Sequence, residues 1–292
     1  MITLARRERF VLYIMLGPAI LGLLLFKVWP IVVAFWQSTL SFDFRRQATV
    51  FVGLRNYVEI LTDPIVRDSA KVTLVFNLII NPLQVMLSFA LALLVVRPVR
   101  GVGVYRSFLM APIATSVTVT SLLWGLILNP SFGLANGLLS KLGIPPQAFL
   151  TSPSQALASI ILLATWRGVG YWMIFFLAGL NDIPQTIYEA AAIDGAGRWS
   201  MLRYITIPLL KPVFAFVLVA DTAINFLMFA PPYVLTSGGP MGSTNLLMYE
   251  AYTRAFTYLD MGHGTALTSL LILIVLAIVL VQLRILRAHS SD

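Results

Sequence analysis

Six apolar runs, each close to the ~20 residues that a helix needs to cross a bilayer, most constrain what this chain can become. They lie at about 10–36, 71–96, 107–128, 156–180, 211–233 and 264–285. No charge falls between Lys71 and Arg97 in the second run, the third carries none, and the sixth carries none before Arg284. The first is interrupted by Lys27 and Pro30, the fourth carries Arg167 and the fifth carries Asp221. In hydrocarbon every backbone N–H and C=O must be satisfied internally, so runs of this length are expected as helices. Composition agrees: 59% of residues are hydrophobic, 11% are charged and the mean hydropathy is +0.87, whereas soluble domains carry roughly 25% charged residues. We expect an all-α integral membrane protein of six transmembrane helices, forming one transmembrane domain over residues 1–292.

Six crossings return both termini to one side. That side holds Arg6, Arg7, Arg9, Arg97, Arg100, Arg106, Arg198, Arg203, Lys211, Arg284 and Arg287, eleven basic residues in short segments. The other side holds Arg45, Arg46, Arg55, Arg67, Lys71, Lys141 and Arg254, seven residues in longer loops. The positive-inside rule then places both termini, and a polar loop at 181–210, in the cytoplasm. Arg6, Arg7 and Arg9 ahead of an apolar run resemble a signal peptide. No small-residue cleavage pattern follows, so an uncleaved first span is expected.

The same inventory excludes several chemistries. A net charge of +8 is explained by basic residues at membrane ends, without nucleic acid. There is no Cys, and His263 and His289 lie far apart in the chain, so no metal site and no catalytic constellation is expected. No GxxxxGK[ST] phosphate loop occurs either; any ATP and Mg must be bound by another chain.

The loop EAAAIDGAGRWSMLRYITIPLLKP, residues 189–212, is too rich in charge and Gly to sit in lipid. Asp182 is placed to cap a helix with Pro184 in its first turn, running through Glu189, Ala190 and Ala191 to about Asp194. Gly195 supplies the positive φ that ends it. A second short helix is expected over Arg198–Tyr204, containing Arg203 and stopping before Pro208. The Ala face permits close approach by another protein, with Glu189 and the arginines fixing register; a solvated loop without a partner is the plainer alternative.

Polar groups inside the spans are candidate pathway residues because lipid makes them expensive. In the second run Thr73, Asn77, Asn81, Gln84 and Ser88 recur every three or four residues, one stripe of a helix that Pro82 could bend. They either line a pathway or hydrogen-bond neighbouring helices. Thr115, Ser116, Thr118, Thr120 and Ser121 in the third run suit bonds back to their own helix. Arg167 and Asp221 either neutralise each other or contact a solute, along with Gly168, Tyr171 and Asn225. Aromatic rings beside polar groups suit a sugar, whose C–H face stacks while its hydroxyls need partners.

Glu189, Ala190, Ala191, three residues, Gly195, nine residues, then Ile205, Ile207 and Pro208 resemble the signature of binding-protein-dependent ABC importer permeases. Ile207 stands where Leu is usual, a volume-conserving change. FVGLRNYVEIL and LTSGGP, either side, look like the carbohydrate and glycerol 3-phosphate (maltose-type) branch. The resemblance implies a type I permease fold in a bacterial inner membrane, with the loop docked on an ATPase. It implies further chains: a second permease, expected to be a paralogue, two ATP-binding subunits and an extracytoplasmic solute-binding protein. Positions like Gly168, Tyr171 and Asn225 line the solute site in such permeases, while Arg167 replaces an apolar residue and hints at an anionic solute. An ion-coupled secondary transporter is the distant alternative, and it would leave the loop unexplained.

Overall fold

The computed structural model describes residues 6–43, 48–97 and 100–288. Arg45, Arg46 and His289, used in the charge and metal arguments above, lie outside these residues. The chain divides into two units, one made of 1–63 with 251–272 and the other of 64–250 with 273–292.

In the first unit, α1 (Arg6–Leu23) passes through a wide π-turn at Leu24–Val28 into α2 (Trp29–Gln37). Lys27 and Pro30 therefore do not end the first span, which runs as helix from Ile14 to Gln37. Met15, Phe26 and Trp29 point outward from it, as side chains facing lipid or a neighbouring chain must. After it comes an element absent from the all-helical expectation, an antiparallel hairpin of β1 (Leu40–Asp43) and β2 (Ala48–Phe51). Buried Asn56, on α3 (Arg55–Thr62), pins the hairpin by donating to the carbonyls of Ser38 and Leu40, both at 2.8 Å. The returning segment is tied to α3 by charge. Arg254 pairs with Asp63 at 2.5 Å, and His263 sits between Asp260 (2.7 Å) and Glu59 (2.9 Å). Hydrogen bonding from Arg55, and then from His263, holds the Glu59 carboxyl below its ordinary range. The His263 side chain does the same to Asp260.

The second unit begins with α4 (Pro64–Val95), which continues as helix through Pro82. At 32 residues it is roughly 48 Å long, more than a bilayer core requires. Next come α5 (Val102–Met110) and α6 (Val117–Ile127), bent by 98° to each other. The single third span expected at 107–128 is thus a broken pair. Pro112 removes an amide donor, and Thr115 and Ser116 take extended dihedrals that no helix accommodates. Hydroxyls cover the break: Thr115 Oγ1 donates to the Pro112 carbonyl at 2.9 Å and shares a bond with Thr120 at 2.8 Å. The 129–155 connection holds a short helix, α7 (Leu134–Lys141), before α8 (Ala156–Asp182).

The 183–210 segment folds as α9 (Gln185–Ile193), α10 (Arg198–Met201), a π-turn at Leu202–Thr206 and α11 (Ile207–Leu209). Two details of the expectation are corrected. Asp182 closes α8 rather than capping α9, because Pro184 itself holds the extended capping position. Pro208 does not stop the second helix, since the wide turn before it absorbs the missing N–H and the helical path goes on. The remaining elements are α12 (Lys211–Phe226), α13 (Ala230–Leu235), α14 (Leu247–Tyr252) and α15 (Met261–Ala288).

The core of this unit joins α4, α8 and α12. Val85, Ala92, Trp172, Phe176 and Val217 are buried together, and the ring of Phe214 lies 4.9 Å from Phe89 and 4.7 Å from Phe176. Close approach of α5 to α8 depends on Gly170. A Cβ there would meet the Leu109 carbonyl oxygen at 1.9 Å, a contact that backbone cannot yield.

Candidate functional site

The polar stripe of α4 turns inward and builds a hydrogen-bonded seam against α8 and α12. Asn77 donates to the Thr73 carbonyl at 2.9 Å, and Asn81 donates to Thr222 Oγ1 at 3.1 Å. Gln84 Nε2 donates to the Ala164 carbonyl of α8 at 2.8 Å. Gly168 allows this, since a Cβ there would sit 2.3 Å from that same Nε2. Asn225 faces three acceptors: Asn81 Oδ1 at 2.8 Å, and Gln84 Oε1 and Asp221 Oδ1 at 3.0 Å each. Trp172 Nε1 donates to Asp221 Oδ1 at 2.7 Å. An indole N–H and a carboxylate buried in a span each need a partner, and here each serves the other. From α15, Gln282 donates to Thr222 Oγ1 at 3.1 Å and joins the seam.

Beside the seam lies a cavity of about 300 Å³. Gln84, Arg167, Gly168, Tyr171, Asp221 and Asn225 all line it, so six of the candidate pathway residues share one wall system. Asn77 and Asn81 do not; Asn81 bonds across to Thr222 and Asn225 on α12, while Asn77 bonds within α4, to the Thr73 carbonyl and to Asn81. Arg167 and Asp221 do not pair with each other. The carboxylate is taken by Trp172 and Asn225, while Arg167 Nη2 donates to the Thr115 carbonyl at the α5–α6 break, 3.2 Å away. Asp221 Oδ2 and Arg167 Nε are buried with no protein partner. Sequence reasoning missed Trp172, Ile224 and Met228 as lining residues. Ile224 could have been found three residues after Asp221, on the same helical face, whereas Met228 lies just past the end of α12.

The second candidate region is the α9–α11 loop. Glu189, Ala190, Asp194, Gly195, Arg198 and Arg203 are exposed, and Ala191 and Pro208 are half-buried. Gly195 has φ +81°. Ala196 N donates to the Ala191 carbonyl at 2.9 Å and Gly195 N to that of Ala192 at 3.1 Å, the paired closure that a left-handed residue allows at a helix end. Ile193, Trp199 and Tyr204 stand out from the loop at 87%, 72% and 71% exposure.

The family described as binding-protein-dependent transport system inner membrane component matches residues 84–290. This chain belongs to that family. It is 34% identical to the sn-glycerol-3-phosphate transport system permease protein UgpA of Agrobacterium fabrum, over 93% of each chain. It is equally, 34%, identical to the trehalose/maltose transport system permease protein MalF of Thermococcus litoralis, over 96% of this chain and 94% of that one. Among solved structures it superposes on a chain of a bacterial alginate ABC transporter, caught with an alginate pentasaccharide-bound periplasmic protein. The TM-score is 0.85 at 23% identity, covering 98% of this chain and 97% of that one. The fold is that of a type I ABC importer permease, and the protein is a non-catalytic inner-membrane transport component.

Proposed function

We propose that this chain forms half of the translocation pathway of an ATP-driven importer for a carbohydrate or carbohydrate-like solute. The observation that carries the reading is the small, mostly apolar cavity between α8 and α12, the two spans that flank the exposed loop, into whose wall a few polar groups are set. An aromatic wall (Tyr171, Trp172) beside Gln84, Asn225, Arg167 and Asp221 suits a ring with hydroxyls. The two relatives named above transport, by their names, glycerol 3-phosphate and trehalose or maltose, both hydroxyl-rich.

In this reading the loop 181–210 faces the cytoplasm and docks on a separate ATPase through Glu189, Ala190, Ala191, Asp194, Gly195, Arg198 and Arg203, with Pro208 setting its exit. ATP and Mg belong to two such ATP-binding subunits. A second permease, a paralogue, supplies the other half of the pathway, and an extracytoplasmic solute-binding protein delivers the solute. A short, closed helical loop can hand a rigid-body motion of the ATPase to the spans. A second reading, an anionic solute such as glycerol 3-phosphate, draws on the unpartnered Arg167 Nε.

ATP dependence tests the importer reading. Uptake by cells or vesicles holding the full set of partners should stop when ATP is depleted and an ion gradient is kept; uptake that persists would make it a secondary transporter. Glu189→Lys and Gly195→Pro should abolish uptake and loosen co-purification of the ATPase. Tyr171→Ala and Asn225→Ala should weaken apparent affinity, and variants that leave it untouched would remove these residues from the pathway.

A further inference from the structure

Lys27 is a charge inside the first span that neither the fold nor the transport reading uses. It lies in the π-turn at Leu24–Val28, and such turns concentrate at functional positions. Residues 10–26 before it and 28–36 after it carry no charge. At 1.5 Å per residue, Lys27 is roughly 27 Å along the helix from Arg9 and roughly 15 Å from Gln37. A four-carbon stem does not cover the nearer of these distances. Lifting the amine to the outer surface would draw Trp29, Ile31, Val32 and Trp36, all outward-facing, into water. A cation at this depth has to face protein or an aqueous cavity rather than lipid.

This chain does not supply that protein surface. Lys27 is exposed and, among the described residues, holds no hydrogen bond or ion pair. None of the apolar window of the Ile14–Gln37 span is buried within the chain, whereas 56% of that of α8 is. Membrane helices associate through close packing and polar pairs, since lipid tails are as apolar as leucine. A single cation on such a helix therefore says what stands opposite it.

We infer that the Ile14–Gln37 span packs on a membrane helix of the second permease, and that Lys27 pairs there with an Asp or Glu carboxylate of that chain. This rests on the two-permease reading above and adds the chemistry of the contact. A second copy of this chain cannot provide the acid. Within its spans, Asp68 and Asp182 stand near the ends and Asp221 alone lies in the interior. Asp221 is 1% exposed, and its Oδ1 is taken by Trp172 and Asn225. The carboxylate thus comes from a chain of different sequence. An intramembrane pair of this kind does more for choice of partner than for strength, because a mismatched partner strands a charge.

The test is co-expression of the full transporter, with the second permease recovered on tagged copies of this chain. Lys27→Glu should cut recovery about tenfold or more. Lys27→Met should cut it as well, by stranding the partner's acid, while Lys27→Arg should keep most of it. Each Asp and Glu in the spans of the second permease is then changed to Lys in the Lys27→Glu background, and one such exchange should restore recovery. Lys27→Met, which removes a charge and enters lipid readily, keeps the test open if Lys27→Glu fails to insert. Unchanged recovery in Lys27→Met with weakened uptake would assign Lys27 to the solute path; unchanged recovery with unchanged uptake would assign it to lipid headgroups. Either result, or restoration by no exchange, would overturn the inference. A wild-type chain that recovers only copies of itself would instead bring down the two-permease reading.

Discussion

Tyr188 and Thr206 meet hydroxyl to hydroxyl at 2.9 Å, closing the loop whose far end is turned by Gly195. Thr206 is buried within the π-turn and also donates to the Met201 carbonyl at 3.3 Å. The segment between them is therefore fastened at both ends, which a lever arm needs if it is to pass on motion without absorbing it.

Tyr188→Phe removes one partner of that closure while keeping the ring. The direct cost is that of one hydrogen bond, about 1 kcal/mol, so the protein should still fold and insert. We expect solute transported per ATP hydrolysed to fall by several-fold, measured on the assembled transporter, with ATP hydrolysis itself maintained.

Gly170 and Gly168 lie two residues apart on α8 and should respond differently to alanine. At Gly170 the new methyl meets the Leu109 backbone, so α5 and α8 must separate. Overpacking costs about 1–3 kcal/mol and occasionally more, and the upper end is expected here, seen as a lowered Tm in detergent and poor yield. At Gly168 it meets the Gln84 side chain, which can move. Gly168→Ala should fold, yet shift Gln84 and weaken solute affinity.

Trp172→Phe leaves Asp221 with Asn225 as its sole remaining donor. A hydrogen bond to a charged group is worth about 1.5–3 kcal/mol, and the loss should appear as a lower Tm. Combined with Asn225→Ala, the two effects should not add, because both donors serve the same Oδ1. A double-mutant cycle with additive losses would show that the donors act independently.

Much of this architecture was legible in the chain. Runs of apolar residues gave the long helices, and the spacing of Thr73, Asn77, Asn81 and Gln84 put them on one face. Gly195 announced its own turn, since few other residues accept φ +81°. What hydropathy does not encode is hydrogen-bond register. The π-turns at Leu24–Val28 and Leu202–Thr206 change which carbonyl each amide meets, not which residues are apolar. The break at Thr115 and Ser116 is hidden for a similar reason: Pro112 lies in a run as apolar as the unbroken one around Pro82. The hairpin escaped because each strand is only four residues long. Pairing of Asp221 with Trp172 rather than Arg167 depends on rotation of α8 about its axis, which sequence spacing cannot supply.

Acid should weaken the first unit. Glu59 and Asp260 are held below the ordinary carboxylate range of about 4, by Arg55 first and His263 first respectively. The stability they contribute is full above their unfolded values and is lost as pH falls through the lower folded ones. Both are partly exposed, so the effect is modest. We expect the contribution of these two to stay full and unchanged between pH 7 and about pH 5, then to decline below about pH 4. Protease nicking near Tyr258 should follow that decline, and Glu59→Gln with Asp260→Asn should flatten it.

The 98° break between α5 and α6 has a consequence for what keeps that part of the membrane domain in order. The two arms, Val102–Ala114 and Val117–Ile127, are roughly 20 Å and 17 Å long as helices, and neither alone matches a ~30 Å hydrocarbon layer. At the bend, the Thr115 carbonyl is satisfied by Arg167 of a span synthesised later. The bend therefore leaves a carbonyl that neither arm can satisfy for itself, and its donor comes from α8, a helix later in the chain. Order at the bend thus depends on a side chain more than fifty residues further along the chain.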